Sequence, residues 1–250
     1  MLARCQWIKE SPPKLQSVSF IIPAHNEQNY LAKTIKALQT AIEELNLNAE
    51  IIVVNDDSTD DTVLVAKSLG VHTIDVSLRN IGAVRNAGAA TANHDWLFFV
   101  DADTTVPTET IRHSLMALAQ GDVGGGARVE IEGLQSLFWL KRMMCLAMIL
   151  VWQIIGGWAA GCFMFCRKDL FDSFGGFDEN YFAAEEYFFS RQLKRLGRFK
   201  LVRQPVITSA RKLHRYSTWQ LIGFLVSPIR NLRNPLSTKA GLEILYEDQR

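Results

Sequence analysis

Between residues 18 and 100 the chain alternates four times between a short apolar run and a segment with apolar residues at helical spacing. The runs are 18–22, 50–54, 71–76 and 96–100, rich in Val, Ile and Phe. Short continuous apolar runs suit strands buried on both faces. Between the first two, Leu31, Ile35, Leu38, Ile42 and Leu45 predict a helix over 30–45. A second helix carries Val63, Val65, Ala66 and Leu69 and stops at Gly70. A third, built of small residues, covers 81–91. This alternation dictates a parallel sheet with right-handed crossovers, an α/β architecture of the nucleotide-binding type. At 250 residues there is room for one large α/β domain or two small ones.

Such sheets bind ligands beyond the carboxyl ends of their strands, and here those ends are polar. The first run leads into Pro23-Ala24-His25-Asn26-Glu27, and the second into Asn55-Asp56-Asp57-Ser58-Thr59-Asp60-Asp61. The fourth leads into Asp101-Ala102-Asp103. If the extended conformation persists past Val100, Asp101 and Asp103 point to the same side. Two carboxylates there can share a hard divalent cation, which brings the phosphates of a nucleotide with it. The plain alternative is a set of polar turns, but independent turns would not need acids at each. Ser58 or Thr59 is expected to cap the second helix, with Asp60 and Asp61 in its positive first turn. No G-x-G-x-x-G follows the first strand and no G-x-x-x-x-G-K occurs, which argues against a dinucleotide fingerprint and a P-loop.

Beyond Asp103 the elements read as a helix over 107–119 with Pro107 at its start and a strand over 122–131. Gly124, Gly125 and Gly126 are expected to make the start of that strand irregular. A short strand over 162–166, a helical turn over 167–174, a helix over 184–196 and a late strand over 200–206 follow. Residues 143–160 are apolar apart from Gln153 and follow Lys141 and Arg142. Their length approaches that of a spanning helix. Gln153, Gly156 and Gly157 weaken that reading, so a buried helix or one lying at a membrane surface is expected. The net charge of +1 makes no general call for nucleic acid. Cys5, Cys145, Cys162 and Cys166 show no zinc spacing and point to a reducing compartment. Cys162 and Cys166 are expected in the core. Residues 1–16, with Pro12 and Pro13, read as an irregular leader without the apolar core of a signal peptide. Residues 211–250 read as a basic, partly apolar tail. The expected location is cytoplasmic, at the inner face of the membrane.

Six motifs in order give the chain a recognisable likeness. They are Ile22-Pro23-Ala24-His25-Asn26-Glu27, residues 54–62, Arg85-Asn86-Ala87-Gly88, Asp101-Ala102-Asp103, Gly175-Gly176-Phe177-Asp178-Glu179 and Glu185-Glu186. With them the chain from residue 18 to about 210 resembles a family 2 glycosyltransferase of the GT-A fold. The resemblance implies a mostly parallel central sheet flanked by helices in one domain over 17–210. Residues 17–106 would be its nucleotide-binding half and 107–210 its acceptor and catalytic half. It implies inverting, metal-assisted transfer of a sugar from a UDP- or GDP-sugar, with Mg²⁺ or Mn²⁺, to a hydroxyl of a glycan, lipid or small-molecule acceptor. The setting would be cell-envelope polysaccharide or glycolipid biosynthesis, with peripheral membrane contact and no nucleic acid.

The same resemblance assigns roles. Pro23, His25 and Glu27 in the first loop would contact the nucleotide, although Asn26 and Glu27 would also serve to cap the next helix. Asp56 would accept a hydrogen bond from a uracil or guanine ring N–H. Asn55 stands where the family often has a further Asp, which leaves the base open. Arg85 would lie near the diphosphate, its planar fork matching phosphate oxygens; a solvated helix charge is its plain alternative. Asp103 would bind the metal directly, and Asp101 would contact ribose or a metal-bound water. Gly176 would lie in a loop by the donor sugar or acceptor, where glycine permits close approach. Glu186 aligns with the family's general base, its pKa raised by Glu185 and partial burial. The family's usual residue is Asp, so Glu185 stays as the alternative base. His214 would be a further metal ligand.

Two other readings are weighed. A nucleotidyltransferase on a related fold would show a Gly-rich, basic loop after its first strand, where this chain has Pro-Ala-His-Asn-Glu. A catalytically silent nucleotide-binding or scaffold module would be favoured by loss of Asp103 or Glu186, and both are present.

Overall fold

The computed structural model describes residues 17–136, 138–180 and 185–211. The expected leader, the tail beyond Arg211 and His214 lie outside the described residues. The first half follows the predicted alternation: β1 (Ser17–Ala24), α1 (Leu31–Leu45), β2 (Asn48–Asp56), α2 (Thr62–Ser68), β3 (His72–Val76), α3 (Ile81–Thr91) and β4 (Trp96–Val100). Then come β5 (Thr104–Thr105), α4 (Thr108–Ala119), β6 (Gly124–Glu132), α5 (Trp139–Ile149), a π-helical turn (Leu150–Ile155), β7 (Phe163–Arg167), α6 (Lys168–Ser173), α7 (Glu185–Leu196) and β8 (Phe199–Ser209).

The eight strands form one sheet in the order β3-β2-β1-β4-β7-β6-β8-β5. β1 pairs in parallel with both β2 and β4, and β2 with β3. β7 runs antiparallel between β4 and β6, and β6 pairs in parallel with β8. The sheet is therefore mostly parallel, as expected, with its parallel half carrying the polar loops.

Period-two alternation sorts the apolar residues onto the two faces. From β4, Trp96, Phe98 and Val100 join Phe20, Ile22 and Phe163 under Leu31, Ile35 and Leu38 of α1 and Ile111 of α4. Leu97 and Phe99 join Ile21, Val54 and Met164 on the other face, with Phe171, Phe177 and Phe189. Phe99 meets the rings of Phe171 and Phe177 at centroid distances of 5.3 and 5.0 Å. Each such buried ring contributes roughly 1.5–3 kcal/mol. α3 lies closest to the sheet at Gly88, where a Cβ would stand 2.4 Å from Ile21 and 2.8 Å from Val54. Cys166 is in the core and Cys162 packs against it.

Three expectations change. Ser58 and Thr59 do not cap α2; the helix begins at Thr62, whose N–H donates to Asp60 Oδ1 at 3.0 Å. Gly124, Gly125 and Gly126 form a regular stretch of strand between β7 and β8. Their small size is the reason, since a Cβ on Gly125 would fall 1.8 Å from the carbonyl oxygen of Lys200. The apolar segment is not buried along its length, with Met143, Leu146, Val151 and Ile154 exposed; as expected, among the described residues no helix is long and apolar enough to cross a membrane.

Candidate active site

The polar loops at the ends of β1 and β2 clasp one another. Asn26, in the left-handed region with φ 53°, accepts from the Thr59 N–H at 2.8 Å, and its own N–H donates to Ser58 Oγ at 3.0 Å. Glu27 N–H donates to Thr62 Oγ1 at 2.7 Å. This engagement of Ser58 and Thr59 by Asn26 is why neither caps α2. His25 Nδ1 meets the carbonyl of Asp56, and Asn26 Nδ2 lies 3.1 Å from Nε2. Together these contacts favour the tautomer that donates from Nδ1 and accepts at Nε2. Pro23 is buried inside β1 itself.

Asp56 ends β2 and is almost fully buried. Its Oδ1 accepts from the Leu78 N–H at 2.7 Å and its Oδ2 from the Arg79 N–H at 3.0 Å. The Arg79 N–H is shared with Oδ1 at 3.2 Å, so the carboxylate anchors the β3–α3 loop through both oxygens, and Oδ2 keeps a further lone pair. Arg79, with φ 50°, also pairs with Asp57 at 3.2 Å.

α3 starts at Asn80, whose side chain accepts from the Ala83 N–H, and this cap aims the helix so that Arg85 points under the strand ends. Arg85 is 2% exposed. Its Nη2 lies 2.9 Å from Asp101 Oδ1 and 2.9 Å from the carbonyl of Gly161, and its Nη1 lies 2.6 Å from Glu185 Oε1. The guanidinium carbon stands 5.5 Å from the Phe177 ring centroid. Burial alone would lower the Arg85 pKa, but the charges of Asp101 and Glu185 outweigh it and raise it. The guanidinium is covered: its Nη groups donate to Asp101, Glu185 and the Gly161 carbonyl, and its buried Nε–H has no hydrogen-bond partner among the described residues.

β4 stops at Val100, and the Thr104 N–H closes a turn onto the Asp101 carbonyl at 3.0 Å. The extended conformation does not persist through the acids, so Asp101 and Asp103 meet different cations. Arg211 Nε lies 3.3 Å from Asp103 Oδ2, its Nη2 bonds Glu27 Oε1, and its guanidinium stacks 4.5 Å from the Tyr30 ring centroid. Asp101 and Asp103 offer only hard oxygen donors. Among the described residues no group of three His, Cys, Asp or Glu side chains is placed to hold an ion unaided. That set fits Mg²⁺ or Mn²⁺ arriving with substrate phosphates, which needs one or two carboxylates from the protein.

α7 opens on Glu185 and Glu186, where acids suit the positive end of the helix. Glu185 carries the Arg85 contact. The Glu186 carboxyl is pushed well above the usual range, first by burial and then by the neighbouring charge of Glu185, with Arg85 pulling the other way. Gly161 keeps this corner open; a Cβ there would come 3.5 Å from Arg85 Nη2, 3.7 Å from Glu185 Oε1 and 3.8 Å from the Glu186 carboxyl carbon. Burial also pushes the adjacent Cys162 thiol well up, helped by the charges of Asp101 and Asp103, so it stays an inert thiol.

Gly176 has φ 77°, and a Cβ there would fall 2.5 Å from Asn86 Oδ1. Asn86 accepts from the Phe177 N–H and donates to its carbonyl, each at 2.8 Å, and donates to Glu179 at 2.9 Å. The glycine is thus required by the turn and by the Asn86 clamp, and with Gly175, Phe177 and Asp178 it lines a cavity. Sequence reasoning missed Gly161, which no motif marks; Arg211 opens the run Arg211-Lys212-Leu213-His214-Arg215, whose cations the sequence leaves open between holding a diphosphate and forming a solvated or membrane-facing basic patch.

A mostly parallel sheet with acids gathered beyond its strand ends, continued by an antiparallel strand and a late acidic helix, is the GT-A arrangement of nucleotide-sugar transferases. The family description "Glycosyl transferase family 2" matches residues 19–175; the chain belongs to that family. It is 34% identical over 129 residues to a 4,4'-diaponeurosporenoate glycosyltransferase of Staphylococcus haemolyticus, covering 49% of this chain and 32% of that protein. It is 35% identical over 126 residues to an undecaprenyl-phosphate 4-deoxy-4-formamido-L-arabinose transferase of Sodalis glossinidius, covering 47% of this chain and 39% of that protein. The matched region thus spans 32–39% of the length of these curated relatives. Among solved structures, the mannosyltransferase PcManGT from Pyrobaculum calidifontis, in complex with GDP-Man and Mn²⁺, superposes with a TM-score of 0.67 at 15% identity, covering 97% of this chain and 73% of that one. S. aureus TarS 1–349 in complex with UDP-GlcNAc gives 0.60 at 16%, covering 93% and 71%. These structures share the fold.

Proposed function

We propose that the protein is an inverting glycosyltransferase that moves a sugar from a UDP- or GDP-sugar to an acceptor hydroxyl. The observation that carries this reading is the buried Arg85 guanidinium, which ties Asp101, after β4, to Glu185, beside Glu186 at the start of α7. It brings a nucleotide-side acid and a base candidate to one place. Residues 17–106 form the nucleotide half and 107–210 the acceptor and catalytic half.

Glu186 is the general base. Its raised pKa suits a carboxyl that must take a proton near neutrality. Glu185, held by Arg85, positions it. The hydroxyl oxygen attacks the anomeric carbon from the face opposite the nucleotide, its proton passes to Glu186, and the bond to the diphosphate breaks. A single displacement of this kind inverts the configuration. Pro23, His25, Glu27 and Asp56 shape the wall of the nucleotide site. Asp103 and Asp101 would hold Mg²⁺ or Mn²⁺, which when bound supplies charge to offset that of the departing diphosphate. The GDP-Man, UDP-GlcNAc and Mn²⁺ of the structural neighbours support this donor and metal class. The relatives named for undecaprenyl-phosphate support an acceptor carried on a lipid, in cell-envelope biosynthesis; such an acceptor would place the protein at the inner face of the membrane.

Thermal unfolding with UDP, GDP, CDP and dTDP, each with and without Mn²⁺, tests the reading. A ligand at about 100 times its Kd adds roughly 2.7 kcal/mol, about 5–10 °C for a chain of this size. One nucleotide should give a metal-dependent shift that Asp103→Asn abolishes, and Glu186→Gln should keep the shift while losing transfer. A Glu186→Gln variant with full transfer rate would sink the base assignment.

A further inference from the structure

α5 and the π-helical turn after it are polar toward the protein and apolar toward solvent, the reverse of an ordinary surface helix. The positions facing inward are Lys141, Cys145 and Gln153. Gln153 is 7% exposed and serves as a substitute strand: its Nε2 donates to the Ala127 carbonyl at 2.8 Å and its Oε1 accepts from the Val129 N–H at 3.2 Å. Those groups lie on β6 just beyond Gly126, where its pairing with β7 ends. The outward positions are Phe138, Trp139, Met143, Leu146, Val151 and Ile154, with Trp139 and Ile154 each 65% exposed. A contiguous apolar face of this kind marks a contact with another apolar phase.

The charge pattern says which one. From Leu134 to Lys168 the sequence contains no Asp or Glu; of its cations Lys141 faces inward and Arg167 and Lys168 pair with Asp169 and Asp172, which leaves Arg142 as the exposed charge of the element. Arg142 is exposed on the helix itself, beside Trp139. An aromatic and a cation at one end of an apolar face match the boundary between acyl chains and anionic headgroups. A second copy of this chain fits poorly, because a two-fold contact sets each patch against itself and brings cation to cation. α5 has 11 residues and the π turn 6, which gives a rod of about 25 Å at 1.5 Å per residue, short of a hydrocarbon core of about 30 Å. It can lie in an interface and cannot cross it.

We propose that α5 and the π turn form an in-plane membrane-interface element that seats the protein on an anionic lipid surface. This deepens the peripheral placement in the proposed function by naming the element and the lipid charge it needs, and it does not depend on the transfer chemistry. The far end of the element leads to the acids. Trp152 Nε1 donates to the Ala159 carbonyl at 2.7 Å, and the Trp158 ring meets Tyr187, the neighbour of Glu186, at 4.8 Å. An acceptor headgroup held at that surface would approach the base along this side.

The test is co-sedimentation of the full chain with vesicles of phosphatidylcholine alone or mixed with phosphatidylglycerol. The variants are Leu146→Ser with Ile154→Ser, and Arg142→Glu. Wild type should bind the mixed vesicles and bind the neutral ones at least tenfold more weakly. The double serine variant should lose about a hundredfold, each side chain being worth about tenfold, and Arg142→Glu should lose several-fold. On mixed vesicles the tryptophan emission should shift to the blue, and less so in Trp139→Phe. Absence of binding by wild type overturns the proposal. So does binding that the double variant retains, which would place the contact elsewhere, or a concentration-dependent dimer that the same variant dissolves. The nucleotide- and metal-dependent thermal shift, measured on the same samples, reports on the donor site separately.

Discussion

Arg85 Nη1 lies 2.6 Å from Glu185 Oε1, across 100 residues of sequence, and the same guanidinium reaches Asp101 at 2.9 Å. One buried cation therefore sets the distance between the acid that ends β4 and the pair of acids that begins α7. Neither acid can shift without changing the other's partner. Removing one member of a buried ion pair leaves an uncompensated charge and costs about 3–5 kcal/mol. Arg85→Met should lose stability of that order in urea unfolding, and transfer should fall with it. Arg85→Lys keeps the charge but lacks the fork that bridges two acids. It should recover part of the stability and little of kcat. Equal recovery of both would mean that Arg85 serves the fold alone.

The Glu186 carboxyl gives a pH signature. Its pKa in the folded protein is raised, first by burial and then by Glu185, above the unfolded value of about 4.3. Between those two values the folded state holds a proton that the unfolded state has released. Stability contributed by Glu186 is thus present below about pH 4.3 and is lost as pH rises through the folded pKa. Glu186→Gln has no such proton to lose, so the stability difference, variant minus wild type, should grow with pH across that window. The acid limb of kcat/KM should lie above the ordinary carboxylate range, because the base must first be deprotonated. A limb near pH 4 would remove Glu186 from the role.

Much of this was legible locally. The bounds of α3 and β4 match the spacing-based reading because apolar period and flanking polar residues coincide there. β5 escaped because two threonines carry no period, and its strand character comes from Thr208 and Ile207 of β8. The antiparallel direction of β7 also depends on distant partners. Within the site, the acids announced themselves as strand-end clusters, but their partners did not. Glu27 and Arg211 are 184 residues apart, and no local pattern links them. Gly161 owes its place to the space that Arg85, Glu185 and Glu186 require, a condition visible only once the three are assembled.

Arg211 stands on the carboxylate that the proposed function gives to the metal. Its pKa is raised: burial would lower it, but the bond to Glu27 and the charges of Glu27 and Asp103 prevail. A divalent ion binding Asp103 must compete with this guanidinium. Arg211→Ala should therefore tighten Mn²⁺ binding to the free protein by up to about tenfold, since a hydrogen bond to a charged group contributes about 1.5–3 kcal/mol and only part of it opposes the ion. Isothermal titration with Mn²⁺ alone reads this without any turnover. Unchanged or weaker Mn²⁺ binding in the variant would mean that the Arg211 contact does not oppose the metal.

Gly88 tests whether α3 is pressed against the sheet for the sake of Arg85, three residues earlier in the same helix. A Cβ at position 88 would meet Ile21 at 2.4 Å and Val54 at 2.8 Å, both fully buried. Neither side chain has space to yield, so α3 must lift. Alanine is the better helix former by about 1 kcal/mol, yet overpacking costs about 1–3 kcal/mol, so Gly88→Ala should be neutral to destabilising by about 2 kcal/mol. A lifted α3 also draws Arg85 away from Asp101 and Glu185, distances set to within a few tenths of an ångström. Transfer should therefore fall by more than the stability loss explains, measured at a temperature where the variant is fully folded. Nucleotide binding, which the proposed function gives to the β1 and β2 loops, should persist. If activity follows only the folded fraction, the α3–sheet distance is a matter of packing and Arg85 reaches its acids over a wider range than the buried geometry suggests.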